Sequence, residues 1–238
     1  MRTCRFWIVG LLGVVCSGPA RSQSTADTLF DESVAAFRNI YFQELKGNAR
    51  LYQGPKYDIE EKRADGFPYF QADVIRQGAI TFQGIKYAPV KLYYDLTSDA
   101  VVTYNYEHDD LLSLDPDKID SFSIGRHLFV RLDKSSGLPV RGFYEQLYKG
   151  DPGLYARREK KFYYGTGNRE SRYVEKNDYY IHVNNIFYKC DNKSDMLTIL
   201  GDQSDALKKF IHSNKIDFKD DLESAIMACV MYYVGLKR

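Results

Sequence analysis

Read for its apolar and polar positions, the chain changes texture four times. Phe6 to Cys16 is an unbroken run of apolar and small residues. From Asp27 to Leu45 the apolar positions Phe30, Val34, Phe37 and Tyr41 recur at steps of four, three and four, the spacing of one helical face. Asp27 or Thr28 stands where a cap is needed and Gly47 follows the end, so a helix is predicted over 27–46. Within 49–190, and most clearly from residue 66 onward, the period drops to two: short runs rich in Tyr, Phe, Val and Ile are broken by turn residues, the pattern of an antiparallel sheet. Hairpins are expected at Gln83–Gly84, Asp95–Asp99, Gly125–Arg126, Lys149–Gly153 and Asn184–Asn185, the last a two-residue loop suited to positive φ. Pro89 within its run marks an edge or a bulge. Over 194–236 helical spacing returns, and Leu222, Ile226, Cys229, Val230 and Tyr233 share one stripe.

No helix of useful length separates the strands, which excludes a parallel, doubly wound sheet. The expected class is α+β: a predominantly antiparallel meander, whether curled sheet, sandwich or open barrel, with an N-terminal helix and C-terminal helices packed on it. An outer-membrane barrel is disfavoured by the terminal helix and by charges such as Arg157 and Lys160 in mid-strand.

The first segment sets the compartment. Arg2 and Arg5 precede the apolar run, and Ser17, Gly18, Pro19 and Ala20 follow it, the order of a secretory signal peptide. The run is too short to span a bilayer, which takes about 20 helical residues. Residues 1–22 therefore read as a signal peptide and 23–238 as a single exported domain, periplasmic or extracellular. Lipid anchoring at Cys16 is the lesser alternative, because Val15 before it is β-branched where a small residue is wanted.

Composition changes the picture at a few points. The chain has 238 residues, 44% hydrophobic and 27% charged, enough to build a core without metals or disulfides. Taking Arg2, Arg5 and Arg21 from 33 basic residues leaves 30 against 32 acidic, so nothing favours nucleic acid, which calls for a basic surface. Removal of the signal leaves only Cys190 and Cys229, either a disulfide or two buried thiols. There are 20 tyrosines, many in pairs such as Tyr93–Tyr94, Tyr163–Tyr164 and Tyr179–Tyr180; in a strand, a pair puts one ring on each face. Exposed tyrosines bring contact area at low entropic cost.

Motifs with a fixed spacing, such as GxSxG, HExxH, paired CxxC or a P-loop, are absent from the sequence. Asp95 and Asp99 flank a turn; they are the candidate pair for acid–base work, and equally turn formers that bond their own backbone. His108, Asp109 and Asp110, with Glu107, are the candidate metal ligands, although adjacent residues on an extended chain point apart and also suit a solvated acidic turn. Arg157, Arg158, Lys160 and Lys161 make a basic stretch between Tyr155 and Phe162. With Tyr94 and Tyr163, Arg157 and Arg158 are the candidate binding residues, suited to an anionic lipid or glycan or to edge protection. No cofactor is implied.

Gly66, Phe67, Pro68, Tyr69, Phe70, then Gly78, Gly84, Tyr87, Val90, Leu92, Tyr94, Asp95, Leu96 and Asp99, with Gly142, Phe143, Tyr144, Leu147, Tyr148 and Gly150, form a pattern over most of the mature chain. It resembles a group of uncharacterised exported proteins of Bacteroidota-type bacteria, in which a glycine often stands where this chain has Asn185. The resemblance implies a compartment and no activity. The expectation is thus a non-enzymatic envelope protein that binds a protein or glycan partner through a tyrosine-rich sheet, the alternative being a carboxylate-dependent hydrolase acting on envelope or extracellular substrates.

Overall fold

The computed structural model describes residues 50–237, apart from 59–63, 72–73, 106–109, 135–136 and 168. The helix expected over 27–46, the signal segment with Cys16, and the candidate ligands His108 and Asp109 lie outside the described residues. The chain divides into two units, Met1–Ile40 and Tyr41–Arg238, and everything described belongs to the second.

Ten strands form one antiparallel sheet: β1 (Arg76–Phe82), β2 (Ile85–Asp95), β3 (Ala100–Asn105), β4 (Asp110–Ser113), β5 (Ile119–Ile124), β6 (His127–Leu132), β7 (Gly142–Tyr148), β8 (Gly153–Tyr163), β9 (Arg172–Val183) and β10 (Ile186–Lys189). Their order is β10-β9-β8-β7-β6-β5-β1-β2-β3-β4, a meander interrupted once, where β5 returns to pair with β1 instead of β4. The return passes through a 3₁₀ turn, Pro116–Lys118, whose cap Asp115 accepts from the Asp117 amide. Asn184 and Asn185 both take positive φ in the hairpin that joins β9 to β10. Pro89 marks a bulge in an interior strand, not an edge: the β1–β2 register shifts between Gly78 and Ile80, opposite it.

The register sets one row of side chains across seven strands. Tyr87 pairs with Ile80, Ile80 with Phe122, Phe122 with Phe129, Phe129 with Glu145, Glu145 with Ala156 and Ala156 with Tyr179. Partners across a ladder share a face, so this row is the buried face of the sheet. On one half the sheet curls steeply enough to pack on itself. The Tyr94 ring of β2 meets Phe122 of β5, Phe129 of β6 and Phe143 of β7 edge-on, with centroids 5.1, 4.9 and 6.0 Å away. On the other half the same face is covered by three helices, α1 (Lys193–Ile199), α2 (Ser204–Ser213) and α3 (Leu222–Leu236), which bury Leu154, Ile181, Leu200, Leu207, Ile226 and Val230. Asn192 caps α1 by accepting from the Ser194 and Asp195 amides, and Asp221 caps α3 by accepting from the Ser224 amide. On the opposite face of the sheet, a smaller cluster of Leu138, Tyr144 and Tyr180 is buried.

The curl does not close into a barrel, yet β8 and the end of β2, with four strands between them, meet. The Lys160 amide donates to the Leu96 carbonyl at 3.1 Å. A short strap reinforces the meeting: Asp65 bridges Arg172 at the outer edge of β9, and Tyr69 bridges Asp95 of β2. Where the strap crosses, Lys160 Nζ donates to the carbonyls of Phe67 (3.1 Å) and Tyr69 (2.7 Å) and lies over the Phe67 ring. Burial pulls the Lys160 pKa below its ordinary value, against the opposing pull of Glu175 and Asp95. The edge of β4 is also covered, by a bridge from Lys56 to Leu112.

Candidate functional site

Alternation assigns each charged residue of β8 to a face. Leu154, Ala156, Arg158 and Lys160 share the buried face; Tyr155, Arg157, Glu159, Lys161 and Tyr163 share the other. The four candidate binding residues thus part ways. Arg157 joins Tyr94 and Asp99, Arg158 enters the core side, and Tyr163 stands at the strand's end.

The first group is a clamp. Asp99 Oδ1 accepts from the Tyr94 hydroxyl at 2.6 Å and from Arg157 Nη1 at 2.9 Å, and the same Nη1 donates to the Phe143 carbonyl at 2.9 Å. The Arg157 guanidinium lies over the Tyr144 ring, its carbon 5.5 Å from the centroid. Gly142 makes room: a Cβ there would sit 2.5 Å from both Arg157 Nη1 and Asp99 Oδ2. Burial, with the negative charge of Asp99, raises the Tyr94 pKa well above that of free tyrosine. The clamp pins the β2–β3 turn to β8. Asp95 is committed beside it, its carboxylate accepting from the Thr97 amide and hydroxyl, the Ser98 hydroxyl and the Tyr57 hydroxyl at 2.6–2.8 Å. Both aspartates are spent on the turn, Asp99 in the left-handed region at φ 56°.

The second group is a buried chain of charge that the sequence reading passed over. Arg158 donates through Nε to Glu145 Oε2 at 2.7 Å and pairs through Nη1 with Glu223 Oε2 at 2.6 Å. Glu223 also accepts from the Tyr179 hydroxyl at 3.0 Å. Glu145 Oε1 holds Nδ1 of His127, whose Nε2 meets the Gln71 amide nitrogen at 2.9 Å. The chain lies where the self-packed half of the sheet meets the helix-covered half, and ties α3 to β8, β7 and β6. Its signal was in the sequence: Glu145 and Arg158 fall at core parity on their strands, where alternation wants apolar side chains.

The third group is at the far end of the β8–β9 arm. β7 pairs with β8 only as far as Ala156, whereas β8 and β9 stay paired to Tyr163 and Arg172. Tyr163 and Tyr164 are both exposed there, at 51% and 77%. The strand rule of one ring on each face fails for Tyr164 because β8 ends at Tyr163. Of the metal candidates, Asp110 begins β4 and pairs with Lys56 at 2.9 Å. Among the described residues no three His, Cys, Asp or Glu side chains gather as a metal site, and no helix is long and apolar enough to cross a membrane. Cys190 and Cys229 are free thiols in the core under the helices, pushed up by burial to about 12 and about 11.

No family model, curated protein or solved structure matches the chain.

Proposed function

We propose that this is an exported protein of a Bacteroidota-type envelope that binds its ligand, without turning it over, at the tyrosine-bearing and basic end of its sheet. Export rests on the order of charge, apolar run and small residues in segment 1–22. The observation that carries the binding reading is the exposed pair Tyr163 and Tyr164 at the end of an arm that outreaches its neighbour β7. The candidate carboxylates give no matching support for hydrolysis, since Asp95 and Asp99 hold a turn together.

The test has two readings. Protein tagged at its C-terminus is recovered from the envelope fraction with the mass of a chain lacking 1–22; a full-length mass in the cytosol overturns export. Purified protein co-sediments with isolated envelopes, and Tyr163→Ala with Tyr164→Ala abolishes this. Undiminished co-sedimentation of the double variant removes the arm from the reading.

Hydrolysis has one specific support, the His127 imidazole oriented by Glu145 as a base is oriented by its partner. Turnover of generic ester, peptide or glycoside substrates that disappears in His127→Ala would favour it; an inert wild-type protein dismisses it.

A further inference from the structure

The arm's end is built of three neighbouring backbone segments. Tyr163 of β8 faces Arg172 of β9 in the ladder, and Arg172 is bridged on its other side by Asp65 of the strap. Bridged partners share a face, so Tyr163, Arg172 and Asp65 form one row. Residues 164–167 and 169–171 fold beside them. They are braced by the Gly165 amide donating to the Ser171 hydroxyl (3.0 Å) and the Arg169 amide donating to the Thr166 carbonyl (3.2 Å). Row and loop enclose a cleft lined by Asp65, Tyr163, Tyr164, Arg169, Glu170 and Arg172. Among the described residues none of its four charged side chains has an ion-pair or hydrogen-bond partner. Elsewhere on the arm Arg157, Arg158, Lys160 and Lys176 all have partners, while the exposed Lys161 has none among the described residues.

The lining selects among ligands. Two unengaged guanidiniums are planar forks that match a carboxylate. Two unengaged carboxylates accept from hydroxyls and repel an uninterrupted run of negative charge, such as an acidic polypeptide or an anionic bilayer would present. The exposed tyrosine rings offer apolar faces and phenol hydroxyls. A ligand that uses all three features has a carboxylate, several hydroxyls and an apolar ring face. We propose that this cleft is a binding site for an acidic sugar, a pyranose carrying a carboxylate, within a glycan. Arg172 and Arg169 take the carboxylate, Asp65 and Glu170 the ring hydroxyls, and Tyr164 packs on the sugar. The proposal rests on the binding reading above and names its ligand class.

The test is calorimetric titration of the full purified protein with trigalacturonate, its fully methyl-esterified form and pentaglutamate. Trigalacturonate binds; the ester, which keeps the rings and loses the charge, binds at least about tenfold more weakly, the scale of one charge-assisted hydrogen bond. Arg172→Gln and Tyr164→Ser each weaken trigalacturonate by a similar factor without moving the thermal midpoint, since both side chains are exposed. The assignment is overturned by no binding of trigalacturonate, by equal binding of ester or pentaglutamate, or by indifference to both substitutions. If it fails while envelope co-sedimentation still depends on the tyrosines, only the sugar class is wrong. If that dependence is missing too, the binding reading falls with it.

Discussion

Asp95 is buried and receives four hydrogen bonds from Thr97, Ser98 and Tyr57. Replacing it by alanine removes the acceptor that orders the turn; Thr97 and Ser98 are exposed and can turn to water, whereas the half-buried Tyr57 hydroxyl loses its partner. Asp95→Ala is expected to lower the unfolding free energy by about 1–2 kcal/mol in urea titrations, the scale of losing a turn-forming carboxylate and one half-buried hydrogen bond. Arg158→Ala leaves buried Glu145 with the His127 imidazole as its remaining partner and is expected to cost about 3–5 kcal/mol by the same measurement. A double change to Arg158→Met with Glu145→Gln recovers much of that loss, because the cost lies in the uncompensated charge. One residue also sets an acid limb. Burial would raise the Asp178 pKa, but bonds from Lys176 and Lys189 win and hold it below the ordinary aspartate value of 3.8. A carboxyl whose folded pKa is depressed stabilises the fold above its unfolded pKa, and that contribution is lost as pH falls through the folded value. Asp178→Asn should therefore flatten stability against pH in the range below 3.8, while leaving its slope near neutrality unchanged.

At the scale of elements, caps and close approaches decide. Asp221→Ala removes the side-chain acceptor at the start of α3 and should cost about 1 kcal/mol. Gly142→Ala pushes a methyl between Arg157 and Asp99 and should cost about 1–3 kcal/mol as the clamp opens. Melting of both variants by circular dichroism checks them. The elements that were legible are those whose local chemistry suffices. The Asn184–Asn185 turn and the flanking strands needed no distant partner, nor did the Lys149–Gly153 turn between β7 and β8. The helical texture of 194–236 was legible as well, though its division into three helices follows from local breaks at Leu200–Gln203 and Asn214–Asp221. The first half of β9, from Arg172 to Asp178, carries little alternation of apolar residues and was invisible. It is a strand because β8 pairs with it along its whole length, and that information is not local.

The whole molecule was the least legible. An antiparallel sheet with C-terminal helices follows from periodicity, but the steepness of the curl depends on which rings meet across strands. Tyr94 meeting Phe143 is a fact about five strands together. Likewise Tyr94, Asp99 and Arg157 were singled out separately, and only the curl brings them to one place, where they hold structure. His127, Glu145, Arg169 and Arg172 were missed for the same reason. The helix-covered half yields a prediction at this scale. With both thiols buried and their pKa values raised, native protein should resist iodoacetamide at pH 8, a condition of the assay. Both Cys190 and Cys229 should be labelled once guanidine is added, as read by intact mass.

The strap has a consequence for the order in which the chain can assemble. Residues 65–70 precede every strand of the sheet, yet Asp65 exchanges backbone bonds with Ser171 and Tyr173, far later in the sequence. A chain made from its N-terminus holds this segment without its partners until nearly the whole sheet has been produced. Contacts of such wide separation also carry a large loop-closure cost, which places them late in folding and slows it. In pulse-labelled hydrogen exchange during refolding, the amides of Asp65 and Tyr173 should gain protection after those in the β5–β6 hairpin. A protease challenge early in synthesis should find the strap first.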